Sequence, residues 1–321
     1  MTIINDPAAL TRDAFVAPDA GRELIVATGA DRIRFLNGLV TNDVAGTPVG
    51  RGCRAALLTP KGQVVADMRI CVRPDDVRII VDRGQAQPVA EALSRYAIMD
   101  DFAAAPVPDF RFLSLLGPGA GALLAAQPEG ELAHAEVGDR WIVRTRELGV
   151  DGFWVGGPPD AIVALRARLA LRHVPELAPA VAEAARIDAM EPKFGVEITS
   201  DYFPMEVGLA ETIDESKGCY LGQEPIVRIR DRGHINWRLA VLDLLTPGAD
   251  PRAGDPLESD VKPKAGRVTS AARFPDGRGV ALAMAHVSIP VGATVRIRGG
   301  DGAATIEARL RAEVPSRPRG R

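Results

Sequence analysis

Apolar positions in residues 1–110 alternate between strand-like and helix-like spacing. LIVAT (24–28) is an unbroken apolar run of strand length. Thr28 and Asp31 then form a capping-box pattern ahead of Ile33, Leu36 and Leu39, an apolar stripe at helical spacing. CRAALLTPKGQVVADMRICV (53–72) predicts two strands joined by a Pro-Lys-Gly turn. DVRIIVD predicts another strand, and QPVAEALSRYAI a helix with Val89, Leu93 and Tyr96 on one side. AAAPVPD (103–109) is a connection, after which the pattern restarts. Strand FRFLSLLG, helix GALLAAQ, strands RWIVRT and GFWVGG, and helices AIVALRARLAL and AVAEAARIDAM follow. Each half mixes antiparallel-looking strands with covering helices, which predicts an α+β class.

From about residue 239 the texture changes. LAVLDLL, GRVTSAARF, GVALAMAHV and ATVRIRG are short strand patterns separated by Gly, Pro and Asp turns, the mark of a small β-sandwich or barrel. The chain thus divides into 1–238, in two units of about 1–110 and 111–238, then a β domain at 239–312. The Pro- and Arg-rich tail at 313–321 is expected to be disordered.

Composition narrows the function. A chain of 321 residues, 46% apolar and 25% charged, buries a sizeable core. Its net charge of −3 argues against general nucleic-acid binding. No apolar run reaches the ~18 residues of a membrane span, and the start, MTIINDPAAL, lacks a signal-peptide pattern. Cys53, Cys71 and Cys219 are too far apart for a disulfide framework or a CxxC metal site, and no two histidines have metal-ligand spacing. The expectation is a cytoplasmic protein with reduced thiols and no membrane or nucleic-acid partner.

Three stretches carry candidate chemistry. GPGAGA (117–122) fits a dinucleotide phosphate cradle, but antiparallel-looking neighbours favour a plain strand-to-helix turn. Asp67 is either a solvent-facing strand residue or a carboxylate in a partly apolar cleft, able to accept a proton or bind an amine. Residues 191–215 hold seven acids and one base, and residues 216–238 five bases and two acids, so the charge changes sign at Gly-Cys-Tyr-x-Gly. QEPIVRIRDRG reads as a strand by alternation, but Pro225 suits a first helical turn and Gly233 a C-terminal cap. As a helix it sets Arg228 and Arg232 on one face and places Cys219 just before its N-terminus, next to Lys217. Both neighbours favour a thiolate, so this cysteine is placed to react or ligate.

KGCYLGQE (217–224), followed by RIRDRG, resembles the signature of YgfZ-type folate-binding proteins. These are relatives of the glycine-cleavage T-protein (aminomethyltransferase) and act in iron–sulfur cluster assembly or repair. FLNGLVTNDV (35–44), TPKGQVVADM (59–68), RIDAMEPKFGVEI (186–198) and PMEVGL (204–209) agree in order. The resemblance is weakest at 120–180 and in the C-terminal domain. It implies two ferredoxin-like units around a central folate-binding cavity, plus a small C-terminal β-barrel. The implied ligand is tetrahydrofolate or a derivative, and the implied partners are iron–sulfur client or assembly proteins. By the same resemblance Glu206 contacts the pterin ring, Asp67 stands near the reactive folate nitrogen, and Cys219 is essential. Lys217 and Gln223 belong to the motif and are counted with the ligand site, and Arg228 and Arg232 are assigned to the anionic folate tail. Two departures stand out. Ala66-Asp67 replaces the paired aspartates usual in T-proteins, which weakens the alternative of a folate-dependent aminomethyl- or methyltransferase. Ala189-Met190-Glu191-Pro192 replaces the usual Ala-Gly-Ile-Pro.

Overall fold

The computed structural model describes residues 2–299 and 305–313, with only the backbone of Arg232. The chain begins with two short strands, β1 (Ile3–Ile4) and β2 (Phe15–Val16). The first unit then runs β3 (Glu23–Thr28), α1 (Arg32–Leu39), β4 (Gly52–Leu58), β5 (Val64–Val72), β6 (Val77–Val81), α2 (Ala86–Ser94) and β7 (Ala103–Pro106). Its antiparallel sheet has the order β4-β5-β6-β3-β7. With edge strand β4 set aside, this is the split β-α-β-β-α-β arrangement of a ferredoxin-like unit.

The second unit repeats that plan with β8 (Arg111–Leu116), β9 (His134–Val137), β10 (Arg140–Glu147), β11 (Val150–Gly157), α3 (Pro159–Leu171) and β12 (Glu176–Leu177). Its sheet order is β1-β12-β2-β8-β11-β10-β9, the first sheet's order with β2 inserted between β8 and β12 and β1 added outside β12. The two sheets pack through Leu24, Cys71 and Ile80 on one side and Phe112, Trp141, Val143 and Trp154 on the other.

Helices α4 (Pro179–Asp188) and α5 (Gln223–Arg232) lead to the C-terminal strands. These are β13 (Trp237–Leu244), β14 (Pro256–Glu258), β15 (Gly266–Arg273), β16 (Gly279–His286), β17 (Thr294–Arg298) and β18 (Thr305–Glu313). They close into a barrel of order β13-β16-β15-β14-β17-β18, which leaves no unpaired sheet edge. Alternation along β13 sends Ala240 and Leu242 into the barrel and Leu239 and Val241 outward. The outward set joins Val181, Ala184, Ala185 and Ile187 of α4 in one core.

The α+β class with a closed barrel is as expected, and several local expectations are corrected. The helix read at GALLAAQ is only a single 3-10 turn, Ala120–Leu123. Gly121 is a poor helix former, and Pro128 disfavours helical backbone at Gln127. GPGAGA is a turn between antiparallel elements, with Gly117 at φ +114° where a Cβ would strike the Asp13 carbonyl. Asp31 occupies the N-cap of α1 without a side-chain cap bond; its carboxylate instead accepts from the Asp101 N–H. Helix α2 stops at Ser94, leaving Tyr96 off the helix and exposed. Beyond Glu313 the tail lies outside the described residues.

Candidate functional site

Between the two sheets, α4 and the loops at 189–194 and 208–216 lies a cavity of about 1990 Å³. Arg54 on β4 and Arg69 on β5 form part of its wall. Behind them Asp67 is 3% exposed. Arg54 grips that carboxylate in bidentate fashion, Nε to Oδ1 at 2.9 Å and Nη2 to Oδ2 at 2.7 Å, and Arg69 Nη1 reaches Oδ2 at 3.0 Å. Burial opposes ionisation of Asp67, but the two guanidiniums overcome it and hold the carboxyl below its ordinary value. Both readings of Asp67 from the sequence are therefore corrected: it faces neither solvent nor an open cleft, but a pair of arginines.

The adjoining part of the wall comes from the β10–β11 hairpin. Buried Glu147 accepts from Ser114 Oγ at 2.6 Å, from Trp154 Nε1 at 2.9 Å and from Arg22 Nη2 at 2.6 Å. The Arg22 guanidinium lies 4.1 Å from the centre of the Trp154 ring, and that of Arg69 5.8 Å. The hairpin turns on Leu148 and Gly149, both at positive φ (56° and 73°), the geometry of a type I′ turn. The Gly149 N–H donates to Glu191 Oε1 at 3.0 Å. Met190, beside it, is also left-handed at φ 59°. Two strained non-glycine residues thus flank Glu191, a clustering common at ligand clamps. Burial pushes the Glu191 carboxyl up, against the N–H groups of Gly149 and Leu148. No cation lies within 4 Å of it among the described residues.

The other expected residues are not gathered at this cavity. Glu206 is 5% exposed and absent from the wall; its carboxylate accepts from the backbone N–H of Phe203 at 3.1 Å and Trp237 at 3.3 Å. It ties the 203–206 turn to the first barrel strand. Lys217 sends its ammonium to the carbonyls of Asn37, Val40 and Asn42 at 2.6, 2.7 and 2.9 Å. Burial lowers its pKa to about 8, but three acceptors match the three donors of the charged form. Lys217 is thus an anchor rather than a dedicated neighbour of the Cys219 thiol. Cys219 is exposed, in the loop that precedes α5. Gln223 lines a separate crevice of about 20 Å³ with Tyr220 and Arg230. Arg228 is exposed on α5, and the Arg232 side chain lies outside the described residues.

The sequence reading missed Arg22, Glu147 and Trp154, which come from outside the recognised motifs, and gave Glu191 only as a departure from a pattern. A glutamate next to a two-residue hairpin turn was the one available signal.

No family model matches the chain. An aminomethyltransferase of Bordetella parapertussis is 31% identical over 216 residues, 62% of this chain and 58% of that protein. The aminomethyltransferase of Bordetella avium is 29% identical over 242 residues, 67% of this chain and 66% of that protein. The match therefore spans less than two thirds of these curated relatives. A Yersinia enterocolitica protein named tRNA-modifying protein YgfZ is 25% identical over 284 residues, 86% of this chain and 85% of its own length. The crystal structure of glycine cleavage system aminomethyltransferase T from Bartonella henselae superimposes with a TM-score of 0.85 at 22% identity, covering 97% of this chain and 88% of that one. Fold and sequence together define a protein of aminomethyltransferase-like architecture. In sequence the chain is similar both to aminomethyltransferases and to a YgfZ-named protein, and it shares the fold of the aminomethyltransferase T structure.

Proposed function

We propose that this protein binds tetrahydrofolate or a derivative in the cavity between its two sheets and serves as an accessory factor in the assembly or repair of iron–sulfur enzymes. The cavity wall offers what such a ligand needs. Glu191, a carboxyl with no ion pair within 4 Å among the described residues, can accept from a pterin donor edge, and the arginine wall suits an anionic tail. The observation that carries the accessory reading is the separation of parts. Cys219 is exposed on the loop before α5, outside the cavity wall, where another protein can reach it. A single cysteine cannot hold a cluster, which takes four protein ligands as a rule, so contact with cluster iron is transient or shared. A YgfZ-named relative matched over 86% of this chain supports the folate-binding part of this reading.

The second reading, aminomethyl transfer to folate, is favoured by the 31% identity to an aminomethyltransferase. Against it, Asp67 is already engaged by two guanidiniums and is not available to orient an amine. Calorimetry with tetrahydrofolate, paired with reactivation of an iron–sulfur enzyme, tests the proposal. Cys219→Ser should keep folate affinity and lose reactivation. Retained reactivation would remove the thiol from the function, and methylenetetrahydrofolate formed from an aminomethylated carrier would establish the second reading.

A further inference from the structure

Three guanidiniums converge on one side of the cavity. Arg22, Arg54 and Arg69 all line it, with side chains 11%, 20% and 20% exposed. Two buried carboxylates answer them: Glu147 pairs with Arg22, while Asp67 is shared by Arg54 and Arg69. Glu211 approaches Arg54 Nη1 at 3.6 Å, but its side chain is 78% exposed, and water screens such a contact. Within this cluster three guanidiniums therefore share two buried carboxylates. Arg69 holds the weakest share: one contact at 3.0 Å to an oxygen that Arg54 already grips at 2.7 Å. A guanidinium carries five N–H donors, and like charges held close in a poorly solvated site repel. Burial pulls the Arg69 guanidinium below its ordinary value, and the nearby Arg54 and Arg22 add to that against the pull of Asp67 and Asp82. Trp154 backs the group, its indole N–H fixed on Glu147.

We infer that Arg69, flanked by Arg22 and Arg54, is the subsite for a carboxylate of the cavity's ligand. The arriving carboxylate accepts from guanidinium N–H groups already positioned by Asp67, Glu147 and Trp154, so little side-chain ordering accompanies binding. It also relieves the repulsion among the three cations. This rests on the folate reading and sharpens it, because it places the anionic end of the ligand at the β4–β5 wall rather than on the α5 arginines.

The probes separate the two claims. Para-aminobenzoylglutamate carries the carboxylates without the pterin, its dimethyl ester lacks the charge, and tetrahydrobiopterin carries the pterin without carboxylates. Binding to the full chain is measured by calorimetry. The diacid should bind the wild type and the ester should bind at least about tenfold more weakly, the loss expected for a charged hydrogen bond. Arg69→Gln leaves the Arg54–Asp67 pair in place and should weaken the diacid by a similar factor while leaving tetrahydrobiopterin unchanged. Equal binding of diacid and ester to the wild type overturns the subsite, and so does an unaltered diacid affinity in a folded Arg69→Gln. The ester comparison needs no variant, so it holds even where Arg69→Gln fails to fold. Diacid binding with no binding of tetrahydrobiopterin or tetrahydrofolate would sink the folate reading and leave the carboxylate subsite standing.

Discussion

Glu191 and Asp67 line up as opposites at the scale of single residues. Both are carboxyls removed from bulk water, but Asp67 is paired with two guanidiniums, whereas Glu191 accepts from a backbone N–H and has no ion pair within 4 Å among the described residues. Hence Asp67 is held below its ordinary value and Glu191 above it. The sign of the pH dependence follows. A carboxyl raised on folding contributes stability that is fully present below its unfolded pKa of about 4.3 and is lost as pH rises through the folded value. Glu191→Gln keeps an acceptor for the Gly149 N–H and removes the titration. Thermal melts should therefore show Glu191→Gln more stable than the wild type at pH 7, with the gap closing by about pH 4. A deficit of the same size at both values would show that Glu191 only packs. Asp67 runs the other way: its contribution is lost as pH falls through its depressed folded value, so acid unfolding of the wild type draws on the Arg54–Asp67–Arg69 group. Neither role was legible beforehand, since the sequence shows the carboxylates but not the Arg54 that β4 brings to Asp67 or the hairpin N–H that meets Glu191.

At the scale of elements, the motif segments prove to be neighbours. The 59–62 turn packs under the first turn of α5: a Cβ on Gly62 would lie 3.0 Å from Pro225, and one on Gly222 would strike the Thr59 carbonyl at 2.3 Å. Thr41 Oγ1 donates to the Thr212 carbonyl at 2.7 Å, and Lys217 caps the carbonyls at the end of α1 and just beyond it. Much of what made the motifs recognisable is thus the clamp that presents the Cys219 loop. Exposure, rather than a nearby ammonium, sets its accessibility. Burial pushes both the Cys53 and Cys71 thiols up, and Cys71 is fully buried. A short iodoacetamide pulse at neutral pH, read by mass spectrometry, should label Cys219 first, Cys53 slowly and Cys71 last. Cys53 ahead of Cys219 would contradict the exposed loop. Strand legibility followed length and alternation. β10, β11, β13 and β16, each eight residues long, showed themselves, whereas β14 has three residues and no period to read. β18 buries Ile306, Ala308 and Leu310 at period two, but its Glu, Ala and Arg favour helix. Pairing with β13 and β17 decides it.

Whole-molecule cohesion turns on how the barrel is held. The length of the chain favours separate unfolding steps, as is common for multidomain proteins. The interface argues the reverse. Barrel residues Leu239, Val241, Phe274, Val280, Leu282 and Met284 share one core with α4 and with Leu58 and Val64 of the first sheet. Removing the barrel would expose that surface to water, at roughly 25 cal/mol per Å² of apolar area. A buried carboxylate pins the same junction. Glu197, 0% exposed, accepts from Ser270 Oγ of β15 at 2.6 Å and from the Lys193 N–H at 2.9 Å, with Arg186 Nη1 at 3.4 Å. Glu197→Ala leaves the hydroxyl and the N–H without their acceptor and should cost roughly 2–3 kcal/mol. Arg186 keeps its bidentate pair with Glu183, so no guanidinium is stranded. The location of the loss is the informative part. If the barrel and the two sheets open as one unit, hydrogen exchange should speed up by the same factor in slow amides of β16 and of β10. Faster exchange confined to β13–β18 would mean that the barrel opens alone, and the shared core would then be a docking surface rather than a single cooperative interior.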